Sequence, residues 1–270
     1  MVSYDNISEK KLKQIKKHGY EQIDTKTQYE LVRYKGPTNI VLYNTGKLLI
    51  QGSEQNVNDA KKLIKFLGIT TPDKKLAGLA VGSDETLKGD TFGGIVVAGF
   101  KADDKIRDEI VKMGVKDSKQ LLRPDIVKLA QELIEKFPNN YHVESLRPKE
   151  YNQLNMILNV TKILDKLHAR CCAKLSRSAI HIVDKYPGCV VGDIIEAKAD
   201  SKYPEVAAAS IIARYAGLKQ IKELEMEAGF FIPLGSTHVD SALLELEKKT
   251  LDPKNYVKLK FKNVVRHFSL

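Results

Sequence analysis

Four carboxylates in this chain of 270 residues sit where they could converge: Asp84 beside Glu85, Asp184 at the end of an apolar run, and Asp200 just before Pro204. A single aspartate at a strand end more often caps a helix or makes a salt bridge. Four ionised carboxylates in one place would repel, raising at least one pKa. Two divalent cations about 3.5–4 Å apart would relieve that repulsion and create a hydrolytic centre for phosphodiesters. The ligands are all oxygen, which suits Mg²⁺ or Mn²⁺. Two neighbouring stretches could serve such chemistry. Lys88-Gly89-Asp90 is a small loop whose backbone N–H groups and lysine could hold sugar and phosphate, and Lys116-Asp117-Ser118-Lys119 offers a second set of donors. Asp117-Ser118 would equally serve as a plain helix cap before Leu121-Leu122.

Positioning these acids requires a sheet. Strands are predicted at 79–83 and 94–100, separated by a glycine-containing turn, then at 141–146, at 180–183 running into Asp184, and at 194–195. Helices are predicted at 104–112, at 124–136, from Pro148 to about 175, and from Pro204 to about 228. This order argues for a mixed α/β sheet, whose ligands gather beyond the carboxyl ends of the strands. If the strands before Asp84 and Asp184 are parallel neighbours, the two acids meet at one sheet edge, with Asp200 approaching from a helix N-terminus.

The first part of the chain reads differently. A short basic helix at 8–17 precedes β-forming stretches at 29–34 and 39–43, an Asn44-Thr45-Gly46 turn, a returning strand at 47–51 and a helix at 56–67. Residues 69–75 have linker composition, so the chain divides into a small α+β domain, 1–70, and a larger domain, 76–270. Of the net charge of +10, residues 1–75 carry +6, from 14 Lys/Arg against 8 Asp/Glu. A basic module on a nearly balanced body fits polyanion binding, and a lysine-rich solvated surface would look the same. The hydrophobic share of 43% can fill a core, and no apolar run approaches the ~18–20 residues of a membrane span. The cysteines, Cys171, Cys172 and Cys189, are odd in number and lack metal-site spacing, so they read as free thiols in a reducing, cytoplasmic setting. His168 on the long helix reads as a packed histidine, and the alanines around 207–213 as a close helix–sheet contact.

Five runs, in order, resemble the motifs of type 2 ribonucleases H: GSDETLKGDTFGG (82–94), VKDSKQL (115–121), KEYNQLN (149–155), HIVDKY (181–186) and KADSKYPEVAAASIIARYAGL (198–218). VLYNTGKLLIQGSE (41–54) is similar to the substrate-binding domain of ribonucleases HIII, itself similar to half of the TATA-box-binding protein. The tail KLKFKNVVRHF (258–268) also looks HIII-like.

The resemblance implies a ribonuclease H-like catalytic domain that uses Mg²⁺ or Mn²⁺ to hydrolyse the RNA strand of RNA–DNA hybrids, leaving 5′-phosphate and 3′-hydroxyl ends. Asp84, Glu85, Asp184 and Asp200 would be the catalytic metal ligands. Lys88 and Gly89 would read the ribose. Ser118, Lys119 and Asn152 would contact the nucleic-acid backbone, and Tyr43 and Lys47 would bind the hybrid from the first domain. Two positions depart from the family pattern. Leu87 stands where the family has glycine, and such a side chain is expected to resist positive φ and to occupy space meant for ribose. Asp200 stands where ribonucleases HIII often have glutamate. A hybrid-binding protein without catalysis, and a DNA-processing nuclease on the same fold, are the other readings; the four acids argue against the first, and the Lys-Gly loop and Asp-Ser-Lys motif against the second.

Overall fold

A computed structural model describes residues 2–4, 7–69, 76–115 and 122–269. The chain forms two compact units, Met1–Lys75 and Leu76–Leu270. No helix among the described residues is long and apolar enough to cross a membrane.

The first unit is a five-stranded antiparallel sheet, in the order β1 (Val2–Tyr4), β5 (Leu48–Gln51), β4 (Asn39–Tyr43), β3 (Glu30–Lys35), β2 (Glu21–Ile23). Alternation sends Val32, Tyr34, Ile40, Leu42, Leu48 and Ile50 to one face, where they meet Leu12, Ile15, Val57 and Ile64 of the helical segments. The predicted basic helix is instead α1 (Glu9–Leu12) tightening into a 3₁₀ stretch, Lys13–His18, and ending at Gly19 with φ 79°. Helix α2 (Glu54–Phe66) starts where the Ser53 side chain accepts from Asn56 N–H. The 44–46 turn is present: Gly46 N–H donates to Tyr43 O, and Tyr43 N–H to Lys47 O. Strands β1 and β2, three residues each, carry too little pattern to be read from sequence.

The second unit is a mixed sheet in the order β10 (Ile194–Glu196), β9 (Ile180–Asp184), β6 (Ala80–Thr86), β7 (Ile95–Ala102), β8 (Tyr141–Leu146). β6 pairs antiparallel with β7 and parallel with β9, and β9 pairs parallel with β10. Both faces are covered. Ala98 and Phe100 of β7 pack with α3 (Asp104–Lys112), α4 (Arg123–Lys136) and α7 (Pro204–Ala228). Ile95 and Val97, alternating with them, pack with α6 (Val160–Leu175). The helix expected from Pro148 to 175 is two: α5 (Pro148–Ile157) stops at Leu158, and Asn159 caps α6 by accepting from Lys162 N–H. Helices α8 (Asp240–Lys248) and α9 (Lys262–Phe268) pack with the C-terminal half of α7.

One close approach fixes α7 against the sheet. A Cβ on Gly82 would lie 2.5 Å from Glu205 C and 2.7 Å from Val206 Cα, so only glycine lets β6 touch the first turn of α7. Beside this contact, Glu205 is fully buried and paired with Arg107 at 3.1 Å.

Candidate active site

The parallel register Ser83↔Val183 brings Asp84 and Asp184 side by side at the carboxyl ends of β6 and β9. Strand alternation then separates Asp84 from Glu85. Asp84 turns toward α7, where Ser210 hydrogen-bonds it, and its Oδ1 also accepts from Glu85 N–H at 2.8 Å. Glu85 turns toward α6, with its Oε2 3.4 Å from His168 Nε2. Asp184 Oδ1 accepts from Ala199 N–H at 2.8 Å, and the next residue is Asp200, itself buried. That turn depends on Lys198 in the left-handed region, φ 57°, a conformation that costs a non-glycine residue about 1–2 kcal/mol.

The electrostatics of the pair are opposed. Burial pushes the Asp84 carboxyl up to about 7, with Glu85 and then Asp184 adding to the effect and Ser210 partly offsetting it. Burial alone would raise Glu85 too, but hydrogen bonds from His168 and Lys88 outweigh it and hold Glu85 below its ordinary value. Lys88 pairs directly with Glu85, and its ammonium lies 5.6 Å from the Tyr186 ring centroid.

Behind Glu85 runs a buried polar chain. Ser83 Oγ is 2.7 Å from His168 Nδ1 and 2.8 Å from His181 Nε2. A hydroxyl has one proton, so the direction follows if neutral His168 points its Nε2–H at the Glu85 carboxylate. His168 Nδ1 then accepts from Ser83, and Ser83 accepts from His181 Nε2–H. Burial, with His168 nearby and Asp193 opposing, holds the His181 pKa down to about 4, which keeps that ring neutral. His168 is indeed packed, lying against Tyr186 with ring centroids 5.2 Å apart, but it also orients an acid.

The expectation for Leu87 is corrected. Leu87 does adopt positive φ, 62°, and its side chain is buried in the cluster with Phe92, Val96 and Ile221 rather than standing in the loop mouth. Burying a leucine is worth about 2 kcal/mol, comparable to the backbone cost of this conformation. Lys88 is half-buried and Gly89 exposed. Asn152 is committed within the protein: its Nδ2 donates to Lys254 O and Val257 O, and its Oδ1 accepts from Leu259 N–H. Tyr43 and Lys47 lie on the β4–β5 hairpin of the first unit, Tyr43 half-buried and Lys47 exposed. Ser118 and Lys119 lie outside the described residues.

Sequence reasoning missed Ser83, His181, Ser210 and Lys258. The last is fully buried, with its ammonium 2.8, 2.6 and 3.0 Å from the carbonyl oxygens of Leu87, Asp90 and Gly93. Burial draws its pKa down to about 7, with Asp90 opposing.

Whether a divalent ion fits can be judged from the acids themselves. Among the described residues, no three His, Cys, Asp or Glu side chains already have the spacing to enclose one ion. Asp84, Glu85 and Asp184 are each drawn to a separate protein donor. The donor set is nonetheless all hard oxygen, and the repulsion from Glu85 and Asp184, which adds to burial in raising Asp84, is what a dication would relieve. The residues fit the ion, with side-chain adjustment on binding.

Sheet order and clustered acids define the class: a carboxylate nuclease on a ribonuclease H-like fold. Residues 81–264 match the ribonuclease HII family model. The chain is similar to ribonuclease HIII of Bacillus velezensis, 33% identical over 260 residues that span 83% of this chain and 82% of that protein. The structure of Bst-RNase HIII in complex with Mn²⁺ superposes with a TM-score of 0.66 at 27% identity, covering 99% of this chain and 98% of that one. Aquifex aeolicus RNase H3 superposes at 0.56 and 28% identity, over 97% of this chain and 100% of that one. The chain belongs to the ribonuclease HII family, and its relatives over nearly the full length are ribonucleases HIII.

Proposed function

We propose that this protein is an endonuclease that hydrolyses the RNA strand of RNA–DNA hybrids, leaving 5′-phosphate and 3′-hydroxyl ends. The observation that carries the reading is the parallel β6–β9 pairing, which sets Asp84 and Asp184 together at the sheet edge with Glu85 and the Asp200 turn beside them. Asp84, Glu85, Asp184 and Asp200 would hold Mg²⁺ or Mn²⁺, which supplies Lewis-acid activation of water and stabilisation of the leaving 3′-oxygen when bound. The protein's own part is positional. The Ser83–His168 chain and Lys88 aim Glu85, Ala199 N–H aims Asp184, and Ser210 aims Asp84. Lys88 also places a positive charge where a phosphate would approach. With the Leu87 side chain turned inward, the Lys88–Gly89 backbone is left to meet a ribose 2′-hydroxyl.

The first unit, residues 1–70 by its sequence, is the substrate-binding module in this reading. Its net +6 charge supports phosphate contact, with Tyr43 and Lys47 as hybrid-binding residues. Ser118 and Lys119 are further phosphate contacts, while Asn152 acts indirectly by holding the 254–259 segment. The free cysteines support a reducing, cytoplasmic setting. Incubation with RNA–DNA hybrid, DNA duplex and RNA duplex, each with and without Mg²⁺ or Mn²⁺, tests the proposal. Metal-dependent cutting confined to the RNA of the hybrid is the expected result. Binding without cutting, or cutting of DNA duplex, would refute it.

A further inference from the structure

The loop after Glu85 is shaped by a residue that lies far away in sequence. Leu87, Asp90 and Gly93 all turn their carbonyl oxygens onto the Lys258 ammonium. The same ammonium lies 5.7 Å from the Tyr151 ring centroid and 5.3 Å from that of Phe261, so its buried charge is enclosed by carbonyls and π faces. An unpaired buried charge is expensive unless such partners surround it. Removing the Lys258 ammonium would take that donor away from all three carbonyls.

What the clamp does to the loop follows from peptide geometry. In a trans peptide the C=O and N–H point in opposite directions. Drawing the Asp90 and Gly93 carbonyls inward turns the following N–H groups of Thr91 and Gly94 away, onto Gly235 O at 2.9 Å and Gln220 Oε1 at 2.8 Å. Drawing in the Leu87 carbonyl does the same to the N–H of Lys88, for which the described residues provide no acceptor. A backbone donor is thereby left facing outward where β6 ends, just past Thr86 and Leu87 at the mouth of the acid site. The left-handed conformation of Leu87 belongs to the same arrangement, since it orients this peptide.

We infer that Lys258 is a positioning residue that sets ribose specificity, by pinning the 87–93 loop so that the Lys88 N–H faces the substrate's 2′-hydroxyl. The inference rests on the hybrid-cleaving reading above. It makes Lys258 act through the loop, without touching substrate.

The test uses the full chain, Lys258→Met, and two hybrids: one with an all-ribonucleotide strand, one with a single deoxyribonucleotide on the 5′ side of the scissile phosphate. Backbone pairing should survive the substitution, because Lys258 N–H to Thr91 O and Gly93 N–H to Tyr256 O do not involve the side chain. The wild-type protein should strongly prefer the ribonucleotide, since a site that hydrogen-bonds a substrate hydroxyl rejects the analogue lacking it. In Lys258→Met, kcat on the all-ribonucleotide strand should fall about 100-fold, as for a displacement of about 1 Å, with KM little changed. Its preference for ribose should shrink by about tenfold or more. Lys258→Gln, which keeps two N–H donors, should fall between. A folded Lys258→Met that discriminates like wild type would overturn the inference. So would failure of both variants to fold, which would make Lys258 a residue of the fold alone. A wild-type protein that cuts hybrid without preferring ribose would instead overturn the ribose reading, and the inference with it.

Discussion

Gly82 lies between the sheet and the helix that follows Asp200, and its substitution separates the geometry of the site from the stability of the fold. A Cβ there would sit 2.5 Å from Glu205 C and 2.7 Å from Val206 Cα, where ordinary contact begins at 3.4 Å. Both atoms are backbone in the first turn of α7, so no rotamer change relieves the clash. β6 and α7 must therefore part by roughly 1 Å. Asp84 rides on β6 and is hydrogen-bonded by Ser210 of α7, while Asp200 lies just before that helix. The acids consequently shift relative to each other by a similar distance, and a misplacement of about 1 Å is worth roughly 100-fold in turnover. Overpacking of this kind also costs about 1–3 kcal/mol, a melting temperature lower by roughly 2–10 °C for a domain of this size. Gly99→Ala is the matched control: its Cβ would meet Leu175 Cδ1 at 3.0 Å and Cys171 Cβ at 3.1 Å, side-chain atoms on the opposite face of the sheet. We expect Gly82→Ala to lose both stability and kcat on RNA–DNA hybrid, and Gly99→Ala, which presses on α6 by only a few tenths of an ångström, to lose stability with a kcat loss far smaller than that of Gly82→Ala. The assay is initial-rate cleavage at saturating hybrid alongside thermal denaturation followed by circular dichroism. A Gly82→Ala protein that melts lower yet turns over at the wild-type rate would refute the reasoning.

Three further outcomes are expected. Asp184→Asn keeps the shape and the Ala199 contact while removing a charge, so hybrid binding should persist and cleavage should fall by orders of magnitude; near-wild-type turnover in Mg²⁺ would remove Asp184 from the chemistry. His181 has a folded pKa of about 4 against 6.5 when unfolded, so the unfolded chain binds more protons between these values. Its contribution is fully present above pH 6.5 and should be lost as pH falls toward 4, by about 3 kcal/mol in all; urea denaturation of His181→Gln should show a flatter acid limb, and an unchanged limb would contradict the assignment. A chain beginning at Leu76 should fold, bind hybrid poorly with a flatter salt dependence, and recover much of its rate at saturating substrate. Unchanged KM with collapsed kcat would place the first unit in the chemistry instead.

Much of the site was legible because it rests on short-range pattern. The apolar runs before Asp84 and Asp184 read as strands, and acids at strand ends in a mixed sheet meet where parallel strands adjoin. The linker composition of 69–75 ends where the chain divides into its two compact units. What escaped notice depends on tertiary context. Helical periodicity runs through 148–175 without a break, and only the Asn159 cap marks the division into α5 and α6. Leu87 looked unfit for positive φ because much of the core that receives its side chain, Ile221 included, comes from residues over 100 positions away. Lys258 and Lys260 stand in the same alternating run, yet one is fully buried on three loop carbonyls and the other reaches Asn155 O at the surface. Nothing in K-L-K-F tells them apart.

The β6–β9 pairing also bears on when the protein can act during its own synthesis. Ala80 pairs with Ile180, so the central strand waits for a partner translated 100 residues later. The closing contacts come later still, from α7 and then from Lys258. The first unit, by contrast, has its own sheet and core within 75 residues. At about 5–20 residues per second, roughly 10–40 s separate completion of that unit from completion of the chain. Through that interval the nascent protein carries a formed basic module, while Asp84 and Glu85 have emerged without the strand and helix that make them a site. If the first unit binds nucleic acid as proposed, affinity precedes the capacity to cut, an order set by topology.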